Sequence, residues 1–221
     1  MRINKFVASA TGMSRRAADT AIAEGRVLLN GIVPSSGHDV KDGERVTLDN
    51  RPITPAVKTI TIMMNKPVGY VVSRNGQGSR TIYSLLPLQY HKLKPVGRLD
   101  KESSGLLLLT NDGDLANELT HPSKQKVKVY QISLNLPLQP LHRQMISDHG
   151  IKLEDGNSRL QLERREEGND KDWTVTMREG RNRQIRRTFG SLGYDVLKLH
   201  RTQFGEYTLD IPATKHFDII T

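Results

Sequence analysis

The chain contains no cysteine, so no disulfide can staple it and no thiolate can hold a metal. That absence fits a reducing compartment. Aromatic residues make up 5% of the sequence, too few for a protein that stacks base after base of a single strand. No apolar run approaches the roughly 18 residues a membrane helix needs. The opening Met1-Arg2-Ile3-Asn4-Lys5 lacks the apolar core of a secretion signal. A soluble, cytoplasmic protein is expected. The seven histidines are scattered, none at a helical ligand interval, and no metal site is expected. Acidic residues are also short, 24 against 33 basic ones, giving a net charge of +9 and a pI near 9.8. Such a surplus favours a polyanionic partner, nucleic acid first and an acidic membrane surface second.

With 221 residues, the chain can hold a small module and a medium domain. Residues 1–58 read as the module. Ile3, Phe6, Val7 and Ala10 recur at helical spacing. Ser14 is placed to cap a second helix over 15–24, closed by Gly25. Val27, Leu28 and Leu29 run into Asn30-Gly31, a hairpin signal, with Ile32 and Val33 leading away. Asp42-Gly43 makes a further turn before Val46 and Leu48. The two prolines of Arg51-Pro52-Ile53-Thr54-Pro55 read as a semi-extended linker. So small a unit buries little apolar surface by itself.

Residues 59–221 form the larger domain. Strands are expected over 60–64, 106–109, 127–134 (with Tyr130 opposite Val129), 173–177 and 196–199. Helices are expected around Leu115 and Leu119, over 138–149 with Leu138, Leu141 and Met145 on one side, and over 182–192. Asp112 and Asp114 read as caps of the first of these, and His200 as structural. Strand-to-strand steps alternate irregularly with helices, so the fold class is α+β, with a mixed, mostly antiparallel sheet.

The densest chemistry lies in Gly97-Arg98-Leu99-Asp100-Lys101-Glu102-Ser103-Ser104-Gly105, followed by four leucines and Thr110-Asn111-Asp112-Gly113. A buried strand behind a polar loop is how a scaffold fixes one acid. In isolation an aspartate after Gly-Arg-Leu is a turn residue. The helix at 182–192 turns Ile185, Phe189 and Leu192 inward and leaves Arg183, Arg186 and Arg187 on its flanks, behind Arg181. That cluster reads as a phosphate cradle, because guanidiniums match phosphate oxygens and an uncompensated cluster attracts an anion. The competing reading is a solvated face balanced by Glu179 and distant acids.

The front of the chain resembles the alpha-L RNA-binding module, through Arg2-Ile3-Asn4-Lys5-Phe6, Ser14-Arg15-Arg16-Ala17-Ala18, Gly25-Arg26-Val27 and Leu29-Asn30-Gly31. The larger domain resembles the ribosomal small-subunit pseudouridine synthase family, which includes several large-subunit enzymes. The matching segments are that around Asp100, Lys66-Pro67-Val68-Gly69, Lys128-Val129-Tyr130 and residues 179–187. Thr188 departs from the family's more usual methionine.

The resemblance implies site-specific isomerisation of a uridine in ribosomal RNA, with large-subunit RNA the expected target and no cofactor. Asp100 would be the essential carboxylate, as nucleophile or as base, and Arg186 its partner. Tyr130 would pack on the flipped uracil, Ile185 would floor the site, and Arg98 would fill the gap in the RNA stack. Lys66, Arg183 and Arg187 would hold phosphates. Arg2, Lys5, Arg15 and Arg16 would bind RNA from the front module. A monomer acting on rRNA or a ribosomal subunit precursor is the simplest expectation. Two other classes compete: a non-catalytic RNA binder such as an assembly factor, and, further off, a membrane-surface binder.

Overall fold

The computed structural model describes residues 1–35, 37–55, 59–212 and 215–221. It divides into two compact units, Met1–Thr59 and Ile60–Thr221. In the first unit, helix α1 (Ile3–Thr11) turns Ile3 and Val7 inward and ends at Gly12, whose left-handed backbone (φ 78°) returns its N–H to Ala8. Helix α2 (Arg15–Ala23) starts at Ser14, whose side chain accepts from the Ala17 N–H at 3.1 Å. Its small residues Ala18 and Ala21 let α2 join the core with Ile22. Strands β1 (Val27–Leu29), β2 (Val46–Leu48) and β3 (Arg51–Ile53) complete the unit as an antiparallel sheet in that order.

Two expectations change here. Asn30 and Gly31 both turn with positive φ, yet Ile32 makes one bridge and is 74% exposed. The strand that covers β1 is β2, because Val46 supplies the buried apolar contact. The expected linker is in part a strand: Pro52 lies opposite Thr47 in β3, which is tolerable because an edge strand can spare an N–H. The boundary expected at residue 58 falls on residues 56–58, outside the described residues.

The second unit is built on a mixed sheet. Its described strands are β4 (Thr61–Lys66), β5 (Lys94–Val96), β6 (Ser104–Thr110), β7 (Lys128–Leu134), β8 (Ile151–Leu153), β9 (Gly156–Ser158), β10 (Gln161–Arg164), β11 (Asp172–Met177), β12 (Val196–Phe204), β13 (Tyr207–Thr208) and β14 (Phe217–Ile219). Their order is β10-β11-β7-β12-β6-β4-β14, with β5 on β6 and β13 on β12, while β8 and β9 form a separate hairpin. Among these pairs β12 with β6 is parallel and the rest are antiparallel.

The four-leucine run is explained by β6 being buried on both faces. Leu107 and Leu109 enter one core and Leu106 and Leu108 the other, beneath helix α3 (Gly113–Thr120). Asp112 caps α3 by accepting from Asp114 and Leu115, while Asp114 sits within its first turn.

Helix α4 (Pro140–Gln144) continues into a wider turn over Met145–His149. Leu138 is buried from an extended segment before this helix, so it does not set the helical phase. Ile146 is buried instead, and Leu141 is 63% exposed. Helix α5 (Gln184–Gly190) starts two residues later than its periodicity predicts, because Arg183 is left-handed (φ 46°). No helix among the described residues is long and apolar enough to cross a membrane.

Candidate active site

A cleft of about 1300 Å³ opens on the second unit between the loop that joins β5 to β6, the strands β7 and β12, and the start of α5. Arg98, Asp100, Tyr130, Arg183 and Ile185 line it; Lys66, Arg186 and Arg187 do not.

Asp100 is held from below. Lys66, at the end of β4, is fully buried, and its amine donates to the carbonyls of Pro67 (3.1 Å), Asp100 (3.0 Å) and Ser103 (2.6 Å). The Ser103 N–H returns to the Asp100 carbonyl, and Gly69 N–H bonds Lys101. The backbone under the carboxylate is therefore tied at Asp100, Lys101 and Ser103. Burial pushes the Lys66 pKa down to about 8, against the pull of Asp100 and Glu102. The phosphate role expected of Lys66 is corrected: its donors point at backbone oxygens and none reaches solvent.

The Asp100 side chain is 33% exposed and pairs with Arg183, Nη1 to Oδ2 at 3.6 Å. The same nitrogen reaches Glu102 at 3.3 Å. Glu102 is held below its ordinary pKa by a backbone N–H first, and by Arg183 after the opposing effect of burial. Arg186, expected as the partner of Asp100, donates instead to the carbonyls of Val196 and Glu102. The left-handed turn at Arg183 carries that side chain over the loop, while Arg186 is drawn into the joint between α5 and β12.

The expected uncompensated arginine cluster is also corrected. Arg187 pairs with Asp155 at 2.6 Å and bonds the Asn182 carbonyl; Arg181 pairs with Asp155 and Glu179. Asp155 lies in the turn between β8 and β9, too far along the sequence for a local reading to pair it with the helix.

The floor is apolar. Tyr130 (β7) and Ile185 (α5) are buried in the main core, beside Leu199. Beneath α5 a buried polar network holds position. The Gln184 side chain donates to Ser158 and Glu179, and Thr188 bonds Ser158 at 2.7 Å and the Gln184 carbonyl at 2.9 Å. The Thr188 hydroxyl thus has two partners where a methionine would have none. Sequence reading missed Gln184, Ser158 and Asp155; a glutamine at a core-facing helical position was the available signal. His200 bonds Ser104 at 2.9 Å.

Of the front-module candidates, Arg2 precedes α1, Lys5 lies within it, and Arg15 and Arg16 open α2 as exposed residues. Among the described residues, no three histidine or carboxylate side chains group in a way that could hold a metal ion.

Residues 60–191 match the model of the RNA pseudouridylate synthase family, and residues 1–46 that of the S4 domain. A ribosomal large subunit pseudouridine synthase B of Xanthomonas campestris pv. campestris is 36% identical over 219 residues, which cover 94% of this chain and 44% of that protein. The chain thus spans less than half the length of the first curated relatives it matches. A ribosomal small subunit pseudouridine synthase A of Yersinia pestis is 33% identical, over 95% of this chain and 90% of that one. A crystal structure of a pseudouridylate synthase superposes with a TM-score of 0.69 at 28% identity, covering 100% of this chain and 96% of the other.

Proposed function

Since the chain belongs to the RNA pseudouridylate synthase family, we propose that it isomerises uridine to pseudouridine in ribosomal RNA, with large-subunit RNA as its target. The reading is carried by one observation: Asp100, on a loop tied down by Lys66, faces a cleft floored by Tyr130 and Ile185, with the Arg183 guanidinium 3.6 Å from its carboxylate.

The reaction breaks the bond from N1 of uracil to the ribose, turns the base, and joins C5 to the sugar. N1 gains a proton and C5 loses one, so no redox partner or added group is needed. A base inside structured RNA must be extruded first, at a cost of a few kcal/mol. In this reading Arg98, at the cleft's exposed edge, fills the gap the base leaves. Tyr130 packs against the uracil ring, and Ile185 supplies the apolar floor. Asp100 either attacks the sugar or removes a sugar proton, with the Arg183 guanidinium 3.6 Å away as its counter-charge once water is excluded. Arg2, Lys5, Arg15 and Arg16 of the S4 domain add phosphate contacts and substrate choice.

The test is Asp100→Asn. Product should vanish while affinity for rRNA stays within about threefold, the pattern of a group acting in the transition state. A fully active asparagine variant defeats the assignment. Mapping pseudouridines in rRNA from cells with and without the protein separates this reading from a pure RNA binder, which would change none, and identifies the subunit.

A further inference from the structure

Lys128, Arg178 and Arg201 stand on the same cleft, yet none of them is used above. Arg201 is 2% exposed. Its Nε donates to the Leu106 carbonyl at 2.8 Å, and its Nη2 has no hydrogen-bond partner. The guanidinium lies 4.7 Å from the centre of the Phe204 ring, and the Lys128 amine approaches that ring at 5.4 Å.

Lys128 donates to the Glu179 backbone carbonyl at 3.3 Å, whereas the Glu179 carboxylate is taken by Arg181 and Gln184. Burial and the neighbouring Arg201 charge both push the Lys128 amine down from its ordinary pKa, against a weaker pull from Glu179.

Among the described residues, none of the three cations has a carboxylate at ion-pair distance. Their neighbours differ: Lys126 pairs with Glu118 and Glu206, and Arg181, Arg183 and Arg187 all have acids. A buried guanidinium without a counter-charge is far costlier than a paired one; the Lys128 amine against the same Phe204 ring, and Arg178 elsewhere on the wall, deepen the positive field of the cleft.

We propose that Lys128, backed by Arg201, forms a subsite for one backbone phosphodiester of the RNA strand that carries the target uridine. Arg201 stands opposite Tyr130 in strand register, and Lys128 lies two residues from Tyr130 along β7. The phosphate seated there therefore belongs to a nucleotide flanking the extruded one. The inference rests on the RNA-directed function above, and deepens it by naming where the strand is gripped.

The experiment uses the full chain carrying Asp100→Asn, so that RNA is bound and not converted, and a uridine decamer as probe. Dissociation constants are measured across a potassium chloride series for this protein and for versions adding Lys128→Gln, Lys128→Arg or, as a control away from the cleft, Lys92→Gln. Lys128→Gln should weaken binding about tenfold at low salt and reduce the slope of log affinity against log salt by about 0.7, the loss of one single-strand phosphate contact. Lys128→Arg should keep the slope, and Lys92→Gln should leave it unchanged.

An unaltered slope in Lys128→Gln, or an equal fall in Lys92→Gln, overturns the subsite. Failure of the function is read separately, from pseudouridine formation by the unmodified protein. An inactive protein with the predicted slopes would keep the subsite and lose the enzyme; an active one whose slope is unaltered in Lys128→Gln would do the reverse.

Discussion

A single nitrogen of Arg183, Nη1, serves both Asp100 at 3.6 Å and Glu102 at 3.3 Å. The guanidinium is thus shared between the candidate catalytic carboxylate and an exposed neighbour two residues along. Both distances are long for charge-assisted hydrogen bonds and both carboxylates are partly exposed, so neither contact contributes much to folding.

Arg183→Ala should accordingly cost under about 1 kcal/mol of stability, as partly exposed ion pairs do. The same change should lower single-turnover pseudouridine formation by about tenfold or more, because the carboxylate then faces the substrate without its cation. Urea unfolding and rapid-quench product analysis check the two halves. Glu102→Gln should leave turnover near that of the parent protein.

Lys66 gives a pH dependence of defined sign. The native amine loses its proton near pH 8, the unfolded one near 10.5. Between those values the unfolded chain binds more protons, so unfolding free energy should rise with pH across this window. Below about pH 8 the full cost of burying the charge is present. Lys66→Met should remove that rise. It should also destabilise the second unit by about 2–4 kcal/mol near neutral pH, because three carbonyls lose their donor. Urea titrations at a series of pH values measure both effects.

Two glycines test the packing behind the loop. A Cβ on Gly105 would lie 2.2 Å from the Arg201 carbonyl oxygen and 2.6 Å from its nitrogen, at φ 102°. Gly105→Ala should therefore push β6 from β12 and cost about 3 kcal/mol or more, in the range of severe overpacking. A Cβ on Gly190, in helix α5, meets nothing within 4 Å. Gly190→Ala should be neutral or stabilise by up to about 1 kcal/mol. Thermal melts of the two variants distinguish them directly.

The front module's role separates by substrate. Arg15→Gln combined with Arg16→Gln should reduce modification of full-length rRNA by about tenfold or more, the loss expected of two proposed phosphate contacts, while a minimal stem-loop should be modified at close to the parent rate. Equal losses on both substrates would count against a targeting role. Parallel assays on the two RNAs provide the measurement.

What the sequence determined by itself is local. Ser14 as a cap, Asn30-Gly31 and Asp42-Gly43 as turns, the alternation of Trp173, Val175 and Met177, and the doubly buried leucine run were all legible. Each follows from backbone preference or side-chain period within a few residues. The polar loop carrying Asp100, fused to a buried strand, was legible too, because that is itself a local pattern.

Tertiary structure decided the partners. The short strands β8, β9, β10, β13 and β14 carry too few residues for a period to register, and they exist because a neighbour completes their hydrogen bonds. Lys66 is expected to hold a phosphate, until the carbonyls of Pro67, Asp100 and Ser103 converge on its buried amine. The choice of Arg183 over Arg186 beside Asp100 turns on one left-handed residue, and the neutralisation of Arg181 and Arg187 on an aspartate in a distant hairpin. A charge's role depends on which opposite charge and how much water surround it, and both are set by chain segments far apart in sequence.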